Sequence, residues 1–370
     1  MGMLKSIQKL QNFYVKKPNA SIYQCEFGFF SMDRWKQEGH ITELTDIQTL
    51  FGFDSPASYN LGQLGWCEAS FYPCFINEVI EDRGDYEVER DFAGRHVLYF
   101  KGRRDGFMPE YLESPVKDMK SWHENCKWRL DPNTSERYTD LNLRMVTAQE
   151  RAQNDFIIVQ DLIGGYMFLR SLIGPVELLY KFYDEPELIH DCMETWLALA
   201  DNVIAKHQEY VSLDEVFLAE DICYNHGPLI SPDMMREFLI PYYQQLLTNI
   251  KRRQLDKNRT LHIQIDTDGF AESVIDIYKE IGMDYMSPFE VASGCDIVRI
   301  AEQYPELLLR GGIDKRILAL SKDAINKEVD RIMPVMKKRG GYIPTCDHGV
   351  PAEVSFENYM HFRKRMLEFA

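Results

Sequence analysis

The chain has 370 residues, 45% of them hydrophobic and 12% aromatic, enough for one large core or two ordinary ones. Its formal net charge of −16 argues against a polyanion such as DNA as partner, but leaves room for a small anion held by local arginines. No run is apolar enough to span a bilayer, no secretory leader is evident, and the eight cysteines form no C-x-x-C, so the expectation is a cytoplasmic chain with reduced thiols and no membrane partner.

The first third is irregular and aromatic, with Phe27, Phe29, Phe30, Trp35, Phe51, Phe53 and Trp66 among its rings. One hairpin is predicted: Tyr86–Arg90 alternates, Phe92-Ala93-Gly94 turns, and His96–Phe100 returns. Lys101, Arg103 and Arg104 follow as a charge run, read as solvated or as a grip for a carboxylate. Trp122, Trp128 and Arg129 are expected to pack against the rest of the fold.

From residue 155 short β-rich runs alternate with long amphipathic helices. Strands are predicted at 156–159, 216–219, 261–265, 285–289, 307–309 and 341–345. Asp184 and Glu187 suggest a capping box opening a helix that runs to about Tyr210, and Ser231-Pro232 and Ser321 suggest further helix starts. One or two more strands are expected near Ile22-Tyr23 and in the aromatic third.

Alternating β and α units imply a parallel sheet. Eight strands would close a (β/α)8 TIM barrel, with the aromatic N-terminal region and its hairpin laid over it. The expected domain is single, residues 1–370, with 1–150 covering the barrel and 155–370 supplying the regular units. An open doubly wound sheet is the alternative, but no G-x-G-x-x-G or P-loop occurs.

In a parallel barrel the C-terminal strand ends share one rim, where chemistry sits. Those ends carry Glu220, Asp221, Asp266, Asp268, Glu290, Asp314 and the run Cys346-Asp347-His348. Each has an ordinary reading beside the functional one. Asp221 could cap a helix, and Asp268-Gly269 could simply turn the chain. Glu290 could pair with a base, and Asp314 with Lys315 or Arg316. Gly311-Gly312 could serve a ligand's approach or a tight turn. Cys346 alone would be a core thiol, and His348 alone a satisfied histidine; their adjacency favours function. His262, mid-strand, is expected inside the barrel. No H-E-x-x-H, nucleophile elbow or Ser-His-Asp order occurs.

Four segments, G-P-L-I-S-P (227–232), D-T-D-G (266–269), G-G-I-D-K-R-I-L-A (311–319) and D-H-G-V-P (347–351), resemble the uroporphyrinogen decarboxylase superfamily. That superfamily is a (β/α)8 barrel that includes tetrapyrrole decarboxylases and zinc-dependent, corrinoid-linked methyltransferases. The decarboxylases' arginine-bearing M-R-Q-A-G-R-Y is absent here; the region reads I-Y-Q-C-E-F-G-F-F-S-M-D-R-W. The methyltransferases' H-x-C-G is replaced by Asp266-Thr267-Asp268-Gly269, and Cys346 matches their later cysteine. The resemblance therefore implies a methyltransferase-like member. Its zinc would be held by Asp266, Asp268 and Cys346, with His348, Glu220, Asp221 and Glu290 as catalytic groups and Asp314 and Gly312 at the substrate. No D-x-H-x-x-G occurs, so a corrinoid would arrive on a separate protein. A methoxylated aromatic would suit the aromatic mouth. Tetrapyrrole-type decarboxylation is the second reading and a non-catalytic ligand-binding barrel the third. A homodimer is compatible with all three.

Overall fold

Six of the apolar runs after residue 155 become strands of one parallel sheet. The structure, a computed structural model, describes residues 2–102 and 109–370. In chain order its strands are β1 (Ser58–Asn60), β2 (Glu78–Arg83), β3 (Tyr86–Arg90), β4 (His96–Phe100), β5 (Glu110–Glu113), β6 (Ile157–Ile163) and β7 (Glu215–Ala219). They continue as β8 (Cys223–Tyr224), β9 (Gly227–Pro228), β10 (His262–Thr267), β11 (Tyr285–Pro288), β12 (Leu308–Arg310) and β13 (Tyr342–Ile343). The large sheet is parallel and seven-stranded, ordered β1-β6-β7-β10-β11-β12-β13. It curls into a TIM-barrel-like fold with helices in the connections, as βα alternation requires.

The sequence placed a strand near Ile22-Tyr23, and the structure corrects this. Residues 22–30 form no strand, and Phe29 makes only an isolated parallel bridge to Val350. Their backbone bonds go to loops on both sides. Asp54 N donates to Gln24 O at 2.8 Å, Val350 N to Gly28 O at 2.8 Å, and Phe30 N to Val350 O at 2.8 Å. This segment fills the gap between β13 and β1, where an eighth strand would lie. The further strand expected in the aromatic third is Ser58–Asn60, although no apolar run marks its place.

Inward and outward faces follow the two-residue period of a strand. Ile157, Tyr285, Leu308 and Ile343 face the barrel axis and pack with Ile7, Leu10 and Phe13 of the helix Gly2–Tyr14, which plugs the N-terminal end. His262 lies in this lower half, with Nδ1 2.8 Å from Asp284 Oδ2 and its ring 4.8 Å from that of Tyr14. Outward residues such as Val216, Leu218, Ile263 and Ile265 join the larger core beneath the helices.

The predicted hairpin is present as β3 and β4, within an antiparallel sheet ordered β2-β3-β4-β5. Lys101 pairs with Asp82 at 2.7 Å, while Arg103 and Arg104 lie outside the described residues. Trp122 is buried and its indole donates to Asp191; Trp128 is half exposed under the Arg129 guanidinium. The Asp184 capping box does not form. Asp184 ends the helix Glu177–Asp184, and the next helix starts at Pro186 with Glu185 at its N-cap. An 8-residue helix ends where the cap was expected and a 23-residue helix begins two residues on, so Asp184 has no free N–H groups to serve. Ser231 and Ser321 do cap their helices, accepting from Met234 N and Ala324 N. Among the described residues no helix is long and apolar enough to cross a membrane.

Candidate active site at the barrel mouth

The rim acids separate by strand phase. Along β7, Val216 and Leu218 face outward, and Glu220 continues that face. It is fully buried in the helical layer, where the Tyr243 hydroxyl donates to it at 2.6 Å and Tyr166 N donates at 3.3 Å. A Cβ on Gly164 would stand 1.9 Å from its Oε2, so nothing but backbone fits above it. Burial pushes the Glu220 carboxyl up to about 7. Glu220 was expected on the rim, but the alternation turns it away.

Asp221 leaves on the other face. It adopts a left-handed φ of 43° and its carboxylate pairs with Arg170 of the helix Gly165–Ile173. Asp266, inward on β10, accepts the hydroxyl proton of Ser287 on β11, and burial lifts its carboxyl to about 6. Asp268, one residue past β10 with 41% of its side chain exposed, has its carboxyl raised by partial burial and by Asp221, Glu290 and Asp266. Three like charges around one carboxyl favour its neutral form. Asp268 Oδ2 lies 3.7 Å from His348 Nε2. Burial and Lys315 hold the His348 imidazole below its usual value.

Glu290 is braced by two donors, Lys315 Nζ at 3.1 Å and Gly269 N at 3.0 Å. Lys315 also lies 3.9 Å from Asp347. The Asp347 carboxylate is fully buried and accepts Val291 N at 2.8 Å and Lys315 N at 3.1 Å, tying the loops after β11 and β12 to the one after β13.

Aromatic rings wall this mouth. His348 lies 4.9 Å from the Phe27 ring and stacks on Phe30 at 5.9 Å. Trp66 stacks on the inward Phe217 at 4.8 Å and remains 47% exposed, leaving a face open to a ligand.

The three residues expected to hold zinc do not converge. Cys346 follows the outward phase of Tyr342 and is fully buried near Glu26, whose carboxylate accepts both Cys346 N at 2.8 Å and the Tyr359 hydroxyl at 3.0 Å. Burial and Glu26 push its thiol well above the usual range. Asp266 instead faces the axis beside Ser287 and Arg310. Among the described residues no group of three or more His, Cys, Asp or Glu side chains is set to hold a metal ion. Donor direction, fixed by strand phase, is what fails.

Asp314 is likewise diverted from a substrate role. Arg316 forks onto it at 2.9 and 2.8 Å, holding its carboxyl below the usual range against its burial. A Cβ at Gly312 would stand 2.6 Å from Ile297 Cβ, so that glycine serves helix packing.

Sequence reasoning missed Arg170, Arg310, Asp161 and Glu26, and saw Lys315 only as a partner for Asp314. Arg310 ends L-L-L-R and Asp161 sits within I-I-V-Q-D-L-I; a charge inside an apolar run was the available signal. A separate cleft of about 750 Å³ lies between the antiparallel sheet and residues 173–177, lined by Ile80, Leu112 and Lys181 among others. Arg83 pairs with Glu81 and Lys181 with Glu185 at its walls, and no strand end of the parallel sheet is among its lining residues.

The fold and the rim thus define a barrel whose polar mouth is built from the C-terminal ends of parallel strands. A family model described as uroporphyrinogen decarboxylase (URO-D) matches residues 143–369, and the chain belongs to that family. The uroporphyrinogen decarboxylase of Geotalea daltonii is 24% identical over 176 residues, 47% of this chain and 49% of that protein. That of Geotalea uraniireducens is 23% identical over 176 residues, with the same shares. The chain therefore spans about half the length of the curated relatives it matches. A solved methyltransferase from Methanosarcina mazei shares the fold, with TM-score 0.59, 14% identity, and 100% of this chain and 99% of that one covered.

Proposed function

We propose that the protein is an enzyme that moves a methyl group from a small methoxylated aromatic to a corrinoid carried by a separate protein. The observation that carries this reading is Asp268 Oδ2 lying 3.7 Å from His348 Nε2 in an aromatic-walled mouth, where neighbouring acids favour the neutral form of Asp268. The fold shared over the full chain with a methyltransferase is compatible with it.

The docked corrinoid would supply the nucleophile that accepts the methyl group. This chain's residues would do the rest with protons. Phe27, Phe30 and Trp66 would hold the ring. Asp268 would give its proton to the ether oxygen as the carbon–oxygen bond breaks, so the leaving group departs as a neutral alcohol or phenol. His348 would pass a proton from solvent back to Asp268. Positioned acids of this kind contribute roughly 10²–10⁴-fold.

The test is anaerobic methyl transfer from a panel of methoxylated aromatics to reduced cobalamin, followed by the spectrum of methylcobalamin. Asp268→Asn should lower the rate by at least about 100-fold. Methyl transfer unaffected by that change would defeat the mechanism, and none from any methyl donor would defeat the reading.

A second reading is favoured by the curated relatives' names. The same acid could protonate a carbon vacated by carbon dioxide. Carbon dioxide release from uroporphyrinogen would establish it. Retained ligand binding without any turnover would leave the non-catalytic barrel.

A further inference from the structure

Arg310 stands in a row of inward side chains near the mouth. Asp266 pairs in register with Ser287, and Met286 with Leu309, which sets Ser287 beside Arg310 across β10, β11 and β12. Gln264 donates to Ser287 at 2.8 Å, and Ser287 donates to Asp266.

The guanidinium feels Cys25, Tyr285, Asp266 and Glu215 around it. Each carboxylate accepts one hydroxyl, Asp266 that of Ser287 and Glu215 that of Tyr14, and neither is within ion-pair distance of the guanidinium. Arg310 Nε is buried with no hydrogen-bond partner. Yet the residue as a whole is only partly buried, as are the inward-facing Val159, Asp161 and Asp266. The interior of this barrel is normally filled by side chains. Here its upper part leaves room beside a cation whose planar fork is matched to a carboxylate. The Tyr285 hydroxyl and the two carboxylates share its field, but the buried Nε has no acceptor, which a ligand carboxylate would supply.

We propose that Arg310 is the receptor for a carboxylate on the ligand, and that the mouth takes an aromatic acid, its ring against the aromatic wall and its carboxylate on the guanidinium. This rests on the reading of the mouth as the substrate site. It adds the substrate's charge and a specificity-determining residue at the floor. Two other mouth acids are paired, Asp221 with Arg170 and Glu290 with Lys315, while the inward Asp161 keeps a buried Oδ1 without a partner. Asp266 is the one acid in the row, and it competes with the incoming anion.

Calorimetric titration of the full chain with benzoate, benzamide and inorganic phosphate tests this without turnover. Benzoate should bind at least about tenfold more tightly than its neutral isostere benzamide or than phosphate. Arg310→Gln should abolish the preference, and Asp266→Asn should tighten benzoate by at least about threefold. Equal binding of benzoate and benzamide, or a preference that survives Arg310→Gln, overturns the proposal. Should Arg310→Gln fail to fold by circular dichroism, Asp266→Asn decides: unchanged or weaker benzoate binding overturns it. A preference that holds while no methyl transfer is found would defeat the functional reading and leave the carboxylate site standing.

Discussion

Glu220 and Asp221 are neighbours, yet their side chains end in different worlds. Glu220 lies among buried tyrosines, and Asp221 holds a partly exposed ion pair at the mouth, with 36% of its side chain exposed. Removing Glu220 leaves the buried Tyr243 hydroxyl without its acceptor, a loss of roughly 2–4 kcal/mol for Glu220→Ala. Asp221→Ala should change stability by less than about 1 kcal/mol, because exposed ion pairs are screened. Urea unfolding of both variants checks this; equal midpoints would mean the two acids share an environment. The distinction was available in the sequence. Val216, Leu218 and Glu220 share one phase, Phe217 and Ala219 the other, and listing acids at strand ends ignored it. The same oversight put Cys346 with Asp266. Arg170 was not legible at all, since its place above Asp221 depends on how a helix folds back over a strand end.

The β/α elements were the most legible part of the chain, because buried parallel strands read as continuous apolar runs. Ser58–Asn60 was not, being three residues without such a run, and residues 22–30 are held in place by distant loops. Close approach between elements was only half legible. Gly311 was noted as a turn or a ligand contact, but it serves the neighbouring strand. Its φ is 98°, and a Cβ there would stand 2.0 Å from Pro288 O. Gly311→Ala should therefore push β12 from β11 and cost about 3 kcal/mol from strained backbone and overpacking together. Gly28→Ala, with nothing within 4 Å of its added Cβ, should stay within about 0.5 kcal/mol. Denaturant midpoints of the pair check this; if Gly311→Ala proves as mild as the control, the two strands do not meet as described.

At the scale of the whole molecule, the chain's 58 acids exceed its 42 basic residues, and several acids titrate late. Glu215 and Glu220 are raised to about 7, Asp266 to about 6 and Asp268 to about 8, each chiefly by burial. A carboxyl with a raised folded-state pKa binds its proton more tightly folded than unfolded. Its contribution is fully present below the unfolded value, about 4, and is lost as pH rises through the folded one. These four groups therefore make the fold less stable between about pH 4 and pH 8. His207 acts in the opposite sense. It is buried between Gln160 and Gln63, at 2.8 and 2.9 Å, and burial lowers it to about 4. Its contribution is present above about 6.5, its unfolded value, and is lost as pH falls toward 4. Four carboxyls outweigh one imidazole. Together these groups make the fold lose stability as pH rises from about 4, with His207 only softening the fall below about 6.5. Urea unfolding at fixed ionic strength from pH 5 to 8.5 should show a falling midpoint, and Asp268→Asn should flatten the upper end of that fall. A midpoint that holds steady or climbs toward pH 8.5 would mean these carboxyls are ionised in the folded chain. Asp268 would then have no proton to give at neutral pH, so the stability curve tests the proposed chemistry without any substrate.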